Sequence, residues 1–411
     1  MKRYKVLFII CTVLGSLLPV FLFAQMTWTQ ATANAGWPRR AGHTSVIFDN
    51  KIWVMGGDEE PGDIYRNDVW YTVNGINWTQ ATSNASWQSR THHASVVFDN
   101  KIWVLGGWDS LHNARNDIWY STNGANWIQA TANANWSARS GLKAVVFDDM
   151  IWVMGGSLTN DVWYSTDGMN WTQATPNAQW PVRGAHALVV FDNKMWVMGG
   201  FGSGSINQND VWYSSDGINW TQATGNAGWS ARYGHTSVAF DNKIWVIGGG
   251  ESTGVYRNDV WFSSDGANWT QALVNAQWAA RAIHTSDVFN NKMWVIGGFS
   301  FTYPYTYYDI WYSTGLGIEE ERLPLFANRI SLEVFPNPAK TYFTVDVPQT
   351  VGCTQIKLFD VSGKIVKEIT YTPKVARNDG VVRISLDGLK NGVYYVKIGN
   401  ETTTKKITVT K

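Results

Sequence analysis

Six arginines, Arg40, Arg90, Arg139, Arg183, Arg232 and Arg281, each stand three residues after a tryptophan. Guanidinium groups gathered around one axis could bind carboxylate or sulfate groups. Five histidines follow three residues later, at His43, His93, His186, His235 and His284, with Leu142 in the remaining place. Imidazoles can ligate metals, but a separation of nearly a whole repeat unit matches no compact metal signature. A residue repeated in every unit is more simply explained by each unit's own packing and hydrogen bonding, so a structural role is the first expectation for both series. Carboxylic acids able to do general acid or base work are scarce: between residues 25 and 313 the glutamates are Glu59, Glu60 and Glu251. No G-x-S-x-G, H-E-x-x-H or phosphate-loop pattern occurs, so no catalytic residue, metal or cofactor is assigned.

The positions of these residues are set by tryptophans. The chain has 25, and all but Trp108 fall at four fixed places of a unit that recurs six times between Trp28 and Trp311. Units of 49 or 50 residues, with one of 44, indicate a propeller or a solenoid. Each unit has two runs rich in Val, Ile, Phe and Trp, joined by Asp-Asn or a near equivalent, which is a short hairpin. A third run, as in "DVWYS", reaches a fourth, "NWTQAT", through Asn-Gly or Asp-Gly, dipeptides that tolerate positive φ in tight turns. Four antiparallel strands per unit follow, and no segment has a capped helical period.

A four-stranded unit cannot bury both faces alone, so six must cover one another radially as blades of a propeller. The segment from Trp28 to Thr32 is a fourth strand without its own blade, and the last unit stops after its third strand. The first strand of the chain is therefore expected to complete the last blade and close the ring. In this geometry the loops between second and third strands share one face with the blade-to-blade crossings. Those loops vary in sequence, from "SLTN" to "FSFTYPYTYY", and variable loops on a rigid scaffold are the usual place for binding chemistry. The ligand-contact candidates are accordingly the six arginines with Trp108, Tyr65, Tyr256, Tyr303 and Tyr305. Aromatic rings there could stack on a sugar or meet a protein.

The double glycines Gly56-Gly57, Gly106-Gly107, Gly155-Gly156, Gly199-Gly200, Gly248-Gly249 and Gly297-Gly298 are read as ending hydrophobic strands, each followed by an aromatic and then a tryptophan. This pattern resembles the kelch repeat over residues 27 to 313. The "STDGMNW" and "SSDGINW" segments also resemble the Asp-box of sialidase-like propellers, but are one residue short and are read as turns. The resemblance implies a binding module for a glycan or a surface protein. An alternative it implies is an enzyme of the sialic-acid mutarotase or epimerase type, with Glu59, Glu60 or Glu251 as acid or base and the arginines for the carboxylate. A galactose-oxidase-like copper cofactor is excluded because its cross-link needs a cysteine, and residues 25 to 313 contain none.

The two ends fix the compartment. Lys2, Arg3 and Lys5 precede an apolar run ending at Ala24, the pattern of a cleaved signal peptide over residues 1 to 24. The mature protein is then expected to keep no stable membrane span and a single thiol, Cys353, which excludes internal disulfides. Residues 315 to 329 read as a linker after a propeller at 25 to 314, and 330 to 411 as strands of a small β-sandwich. Pro336-Asn337-Pro338, "LFDVSGKIV" with Asp360, Gly363 and Lys364, "LKNGVYYVKI" with Gly392 and Tyr394, and Lys405-Lys406 resemble the C-terminal sorting domain of type IX secretion. That resemblance implies a secreted or outer-membrane-surface protein whose tail engages the type IX machinery. Residues 25 to 313 carry 16 Lys and Arg against 22 Asp and Glu, and residues 314 to 411 carry 14 against 10. Neither balance supplies the strongly basic face that nucleic-acid binding needs.

Overall fold

In the computed structural model the described residues are Met26 to Glu59, Asp63 to Gly315, and the strands of the C-terminal part with a few flanking positions. The expected signal peptide, the linker, Glu60, the Pro336-Asn337-Pro338 motif and Gly363 lie outside them. The chain separates into two compact units between Ile318 and Glu319.

The first unit is all-β, with six antiparallel blades of four strands each, blade 2 having the two-residue strand Arg90–Thr91 as a fifth. Blade 1 comprises Thr44–Phe48, Lys51–Met55, Val69–Thr72 and Thr79–Thr82 in that spatial order. Blades 2 to 5 repeat it, with first strands Ala94–Phe98, Lys143–Phe147, Ala187–Phe191 and Thr236–Phe240. Blade 6 takes Thr285–Phe289, Lys292–Phe299 and Thr306–Ser313 from the end of the repeats and its fourth strand, Thr29–Thr32, from the beginning. Thr29 faces Tyr312 and Thr32 faces Ile310 in antiparallel register, so the ring closes by strand complementation. The six first strands neighbour one another in a closed circle and form the wall of a central channel.

The first hairpin of each blade turns on two residues of positive φ, such as Asp49 (49°) and Asn50 (53°), the type I′ geometry that Asp and Asn tolerate. The second turn is longer than a two-residue hairpin. In blade 4 the Asp216 carboxylate accepts from the backbone N–H groups of Ile218 and Asn219, while the Ser214 hydroxyl accepts from Gly217 N. Burial pushes the Asp216 carboxyl up, but the Asn219 side-chain amide, the backbone N–H groups of Asn219 and Ile218 and the Ser214 hydroxyl together hold it down at about 2.

The hydrophobic cores lie between blades, not within them. Val46, Phe48, Trp53 and Met55 of blade 1 pack on Ile102, Val104 and Trp127 of blade 2. Phe289, Trp294 and Ile296 of blade 6 meet Ile52 and Val54 of blade 1 across the closure. Tryptophans before each first strand and on each fourth strand meet edge to face, from Trp37–Trp78 (5.8 Å, 85°) round to Trp278–Trp28 (5.9 Å, 88°). Trp53, Trp103, Trp152, Trp196 and Trp294 each reach the next blade's turn glycine. A Cβ on Gly124 would lie 2.1 Å from the Trp53 ring, which is why that turn carries no side chain.

One sequence expectation needs correction. The double glycines end the second strand only in blades 1 and 3; in the other four the strand runs through them, as in Lys101–Asp109 and Lys194–Phe201. A register shift, for example between Leu105 and Gly107, absorbs the pair as a bulge.

The second unit has a three-stranded sheet, Val334–Phe335, Tyr342–Asp346 and Val381–Ser385, and a four-stranded sheet ordered Ile365–Tyr371, Thr354–Phe359, Gly392–Ile398, Lys405–Val409. Ile356, Leu358, Ile384, Leu386, Tyr394, Val396, Ile407 and Val409 are its buried side chains, an alternation typical of strands with one face inward.

Candidate functional site

The six arginines sit where their spacing puts them, at the entry to each blade on the loop face, and all are 0 % exposed. Arg40 donates through Nη1 and Nη2 to the two oxygens of Asp68 at 2.8 Å each, through Nη1 to Gly56 O at 2.9 Å, and through Nε to Pro38 O at 3.2 Å. Asp68 also accepts from the Trp70 indole N–H at 2.8 Å. The same triad recurs as Arg90–Asp117–Trp119, Arg139–Asp161–Trp163, Arg183–Asp210–Trp212, Arg232–Asp259–Trp261 and Arg281–Asp309–Trp311. Burial pushes the Asp68 carboxyl up, but the Arg40 guanidinium outweighs it and holds the group below the usual carboxylate range. The guanidinium groups are thus occupied within their own blades: each locks a crossing to the start of its third strand.

The histidines explain the double glycines. His93 of blade 2 is wedged against blade 1, where a Cβ on Gly56 would lie 2.8 Å from its ring. The second glycine faces the blade's own histidine, since a Cβ on Gly57 would lie 2.8 Å from His43 Cβ. Both glycines also have positive φ, 59° and 95°. In three places the histidine Nε2 meets a threonine hydroxyl of the preceding blade: His93 with Thr44 (2.9 Å), His284 with Thr236 (3.0 Å) and His43 with Thr285 (3.3 Å). Where blade 2 has Ala94 instead of threonine, blade 3 has Leu142 instead of histidine, so apolar meets apolar. Burial, and then the Arg40 charge, lower the His43 pKa to about 3, so the imidazole is neutral. Among the described residues no group of three or more His, Cys, Asp or Glu is placed to hold a metal.

At the channel mouth Gly42, His92, Gly141, Ala185, Gly234 and Ile283 occupy equivalent places, all with φ between 49° and 65°. Each donates its backbone N–H to the carbonyl of its counterpart in the preceding blade, from Ile283 N to Gly234 O (2.7 Å) round to Gly42 N to Ile283 O (3.1 Å). Six peptide groups thereby form one closed ring of hydrogen bonds around the axis. An axial cavity of about 190 Å³ begins at this ring.

Around the mouth the variable loops present aromatic side chains in two groups. Over blades 1 and 2, Trp108 donates to His112 Nδ1 at 3.5 Å and Tyr65 meets the His112 ring edge-on at 6.0 Å. Over blades 5 and 6, Tyr256 packs edge-on with Phe299 (5.8 Å) and Phe301 (5.3 Å), and Tyr303 meets Tyr305 at 6.2 Å. Phe301 is 61 % exposed, Tyr303 79 % and Tyr305 37 %. The structure thus brings Trp108 near Tyr65 and gathers Tyr256, Tyr303 and Tyr305 in a separate group.

The glutamates lie apart. Glu59 pairs with Arg66 (3.0 Å) in blade 1 and Glu251 with Arg257 (2.6 Å) in blade 5. Sequence reasoning missed Asp58, Thr91 and His92: the Thr91 hydroxyl bridges the Asp58 carboxylate and His92 Nδ1 at the mouth. Burial raises the Asp58 pKa to about 6. It also missed two residues of the channel wall, Lys143 and Asp287. They stand where the other first strands have threonine or alanine, and valine, respectively, so departure from the repeat was the available signal.

Comparison with known proteins agrees with this architecture. The family model described as the KLHDC2/KLHL20/DRC7 Kelch-repeats domain matches residues 15–200 and 156–314, and that of the secretion system C-terminal sorting domain matches residues 333–410. No curated protein matches the chain by sequence. The solved structure titled "Structure of YjhT" aligns at a TM-score of 0.57 and 15 % identity, covering 68 % of this chain and 96 % of that one, a likeness of fold. Among the described residues no helix is long and apolar enough to cross a membrane. The sorting tail marks the protein for export by type IX secretion to the cell surface or the extracellular space. The chain belongs to the Kelch-repeat family, as a six-bladed propeller carrying a type IX secretion sorting domain.

Proposed function

We propose that the propeller is a binding module, displayed or released outside the cell, whose loop face takes a glycan. The observation that carries this reading is the exposure of Phe301, Tyr303 and Tyr305 beside Tyr256, with Trp108 and Tyr65 across the mouth. Apolar aromatic faces held open on a rigid scaffold suit the C–H faces of sugar rings, while neighbouring polar groups fix hydroxyls. The triads at Arg40 and its equivalents support the loops but are closed to solvent, so the reading places ligand contact on the aromatics. A signal peptide at residues 1 to 24 and loss of the tail on export complete the proposal. Screening the full chain against immobilised glycans tests it. Binding abolished by Tyr303→Ala and Trp108→Ala supports it; capture of a surface protein with no glycan signal would replace the glycan by a protein ligand.

Turnover of an acidic sugar is a second reading, favoured by the Asp58–Thr91–His92 chain at the mouth. With Thr91 donating to an ionised Asp58, His92 Nδ1–H donates to Thr91 and leaves Nε2, on an imidazole that burial keeps neutral, as an acceptor that can orient a sugar hydroxyl. Sialic-acid anomer exchange followed by NMR, no faster with protein than in buffer or unchanged in His92→Ala, would reject it.

A further inference from the structure

The axial cavity holds one feature that blade packing does not account for. Its wall carries Lys143 at the place where blades 1, 5 and 6 have Thr44, Thr236 and Thr285. In those blades the threonine satisfies the next histidine, so a lysine here removes the partner of His186. His186 is 0 % exposed and neither of its ring nitrogens has a hydrogen-bond partner. Among the described residues no carboxylate lies within ion-pair distance of Lys143. The channel carboxylate, Asp287, takes the Ser45 hydroxyl instead. Burial above all disfavours protonation of His92, His93, His186, His235 and His284, and the charge at Lys143 adds to it as a smaller effect. Lys143 is half-buried and its burial lowers the pKa of the amine, as expected for an ammonium partly withdrawn from water without a counter-charge. Two hydroxyls of the same cavity, Ser95 and Ser237, are buried without partners, and both can donate.

We propose that the axial cavity is a site for a small inorganic anion, held by the Lys143 ammonium with the hydroxyls of Ser95 and Ser237 as further donors. The chemistry is that of a charge-assisted hydrogen bond from an amine to an oxyanion, strengthened by the low dielectric of the channel. A volume of about 190 Å³ suits phosphate and its few waters, and excludes an oligosaccharide. The anion would neutralise the one lysine of the channel wall and tie blade 3 to the axis, independently of whatever the loop face binds.

The test is thermal melting of the full chain against sodium phosphate, with ionic strength held constant by sodium gluconate, a singly charged carboxylate in place of the inorganic oxyanion. The wild type is expected to gain roughly 2–4 °C once phosphate exceeds its dissociation constant several-fold. Lys143→Met and Lys143→Thr are both expected to lose that gain. Lys143→Thr restores the threonine facing His186 and so supplies a folded control if the methionine variant is impaired. A rise of equal size in the wild type and Lys143→Thr, or no rise in the wild type, would overturn the proposal.

Discussion

Asp210→Asn changes almost no volume, yet the structure makes it one of the costliest substitutions on the loop side of the propeller. Asp210 is 5 % exposed and accepts from Arg183 Nη1 and Nη2 at 2.9 and 2.8 Å and from the Trp212 indole at 2.7 Å. Asparagine keeps one acceptor and turns an amide N–H₂ toward a guanidinium or indole donor, leaving the Arg183 charge buried without a counter-charge. Breaking a buried pair on one side costs about 3–5 kcal/mol, which for a propeller of this size is roughly 6–20 °C in melting temperature. Arg183→Met should cost a similar amount, because Gly199 O and Pro181 O also lose a donor. The two together should cost about 2–3 kcal/mol less than their sum, as expected for residues that act as a unit. Melting of the four proteins followed by circular dichroism measures this cycle. Strict additivity, or an Asp210→Asn protein that melts like wild type, would refute the assignment of the arginines to blade locking.

Other outcomes follow from the same geometry. Gly199→Ala would place a Cβ 2.8 Å from the His235 ring at a φ of 54°, so it should lower the melting temperature by several degrees and reduce soluble yield. Melting temperature should fall as pH drops from 7 toward 4. His43 and His92 are held down at about 3 and 4 chiefly by burial, so the unfolded chain binds more protons in that window. Asp58 and Asp287, raised to about 6 by burial, oppose the trend between about pH 4 and 6, and Asp287→Asn should steepen it. A pH-independent melt would contradict the neutral-histidine ring. In the native host, ending the chain after residue 313 should trap a folded propeller in the periplasm, and fractionation that finds it outside as efficiently as the full chain would contradict the sorting role of residues 333–410.

The blades were legible because each needs the same residues at the same interval: hairpin Asp-Asn pairs, turn glycines and interblade tryptophans are demanded locally and repeated by the ring. Closure was legible from the orphan strand at Thr29–Thr32. In four blades the double glycines were misplaced at strand ends because the need for them comes from a histidine, or from Leu142, at the blade crossings, a contact no local pattern states. Arg40 and its equivalents were offered as anion ligands because spacing shows that guanidinium groups converge on one face, but not that an aspartate of the same blade, such as Asp68 for Arg40 or Asp210 for Arg183, takes each of them first. Asp58, His92, Lys143 and Asp287 went unseen for the opposite reason. They occur once each, at places the repeat fills with other residues, and only the closed ring shows that they face the channel or its mouth.

The proposed binding surface is made by the exposed loop-face aromatics, not by the buried arginine series. Binding of the full chain to a glycan array, repeated with Phe301→Ala/Tyr303→Ala and Trp108→Ala, tests it most directly. Unchanged melting is expected, with a loss of affinity of roughly tenfold or more, the effect of removing an aromatic anchor worth about 1.4 kcal/mol or more. Wild-type affinity in those variants, with binding lost only when the Arg183–Asp210 pair is altered and the fold retained, would contradict it.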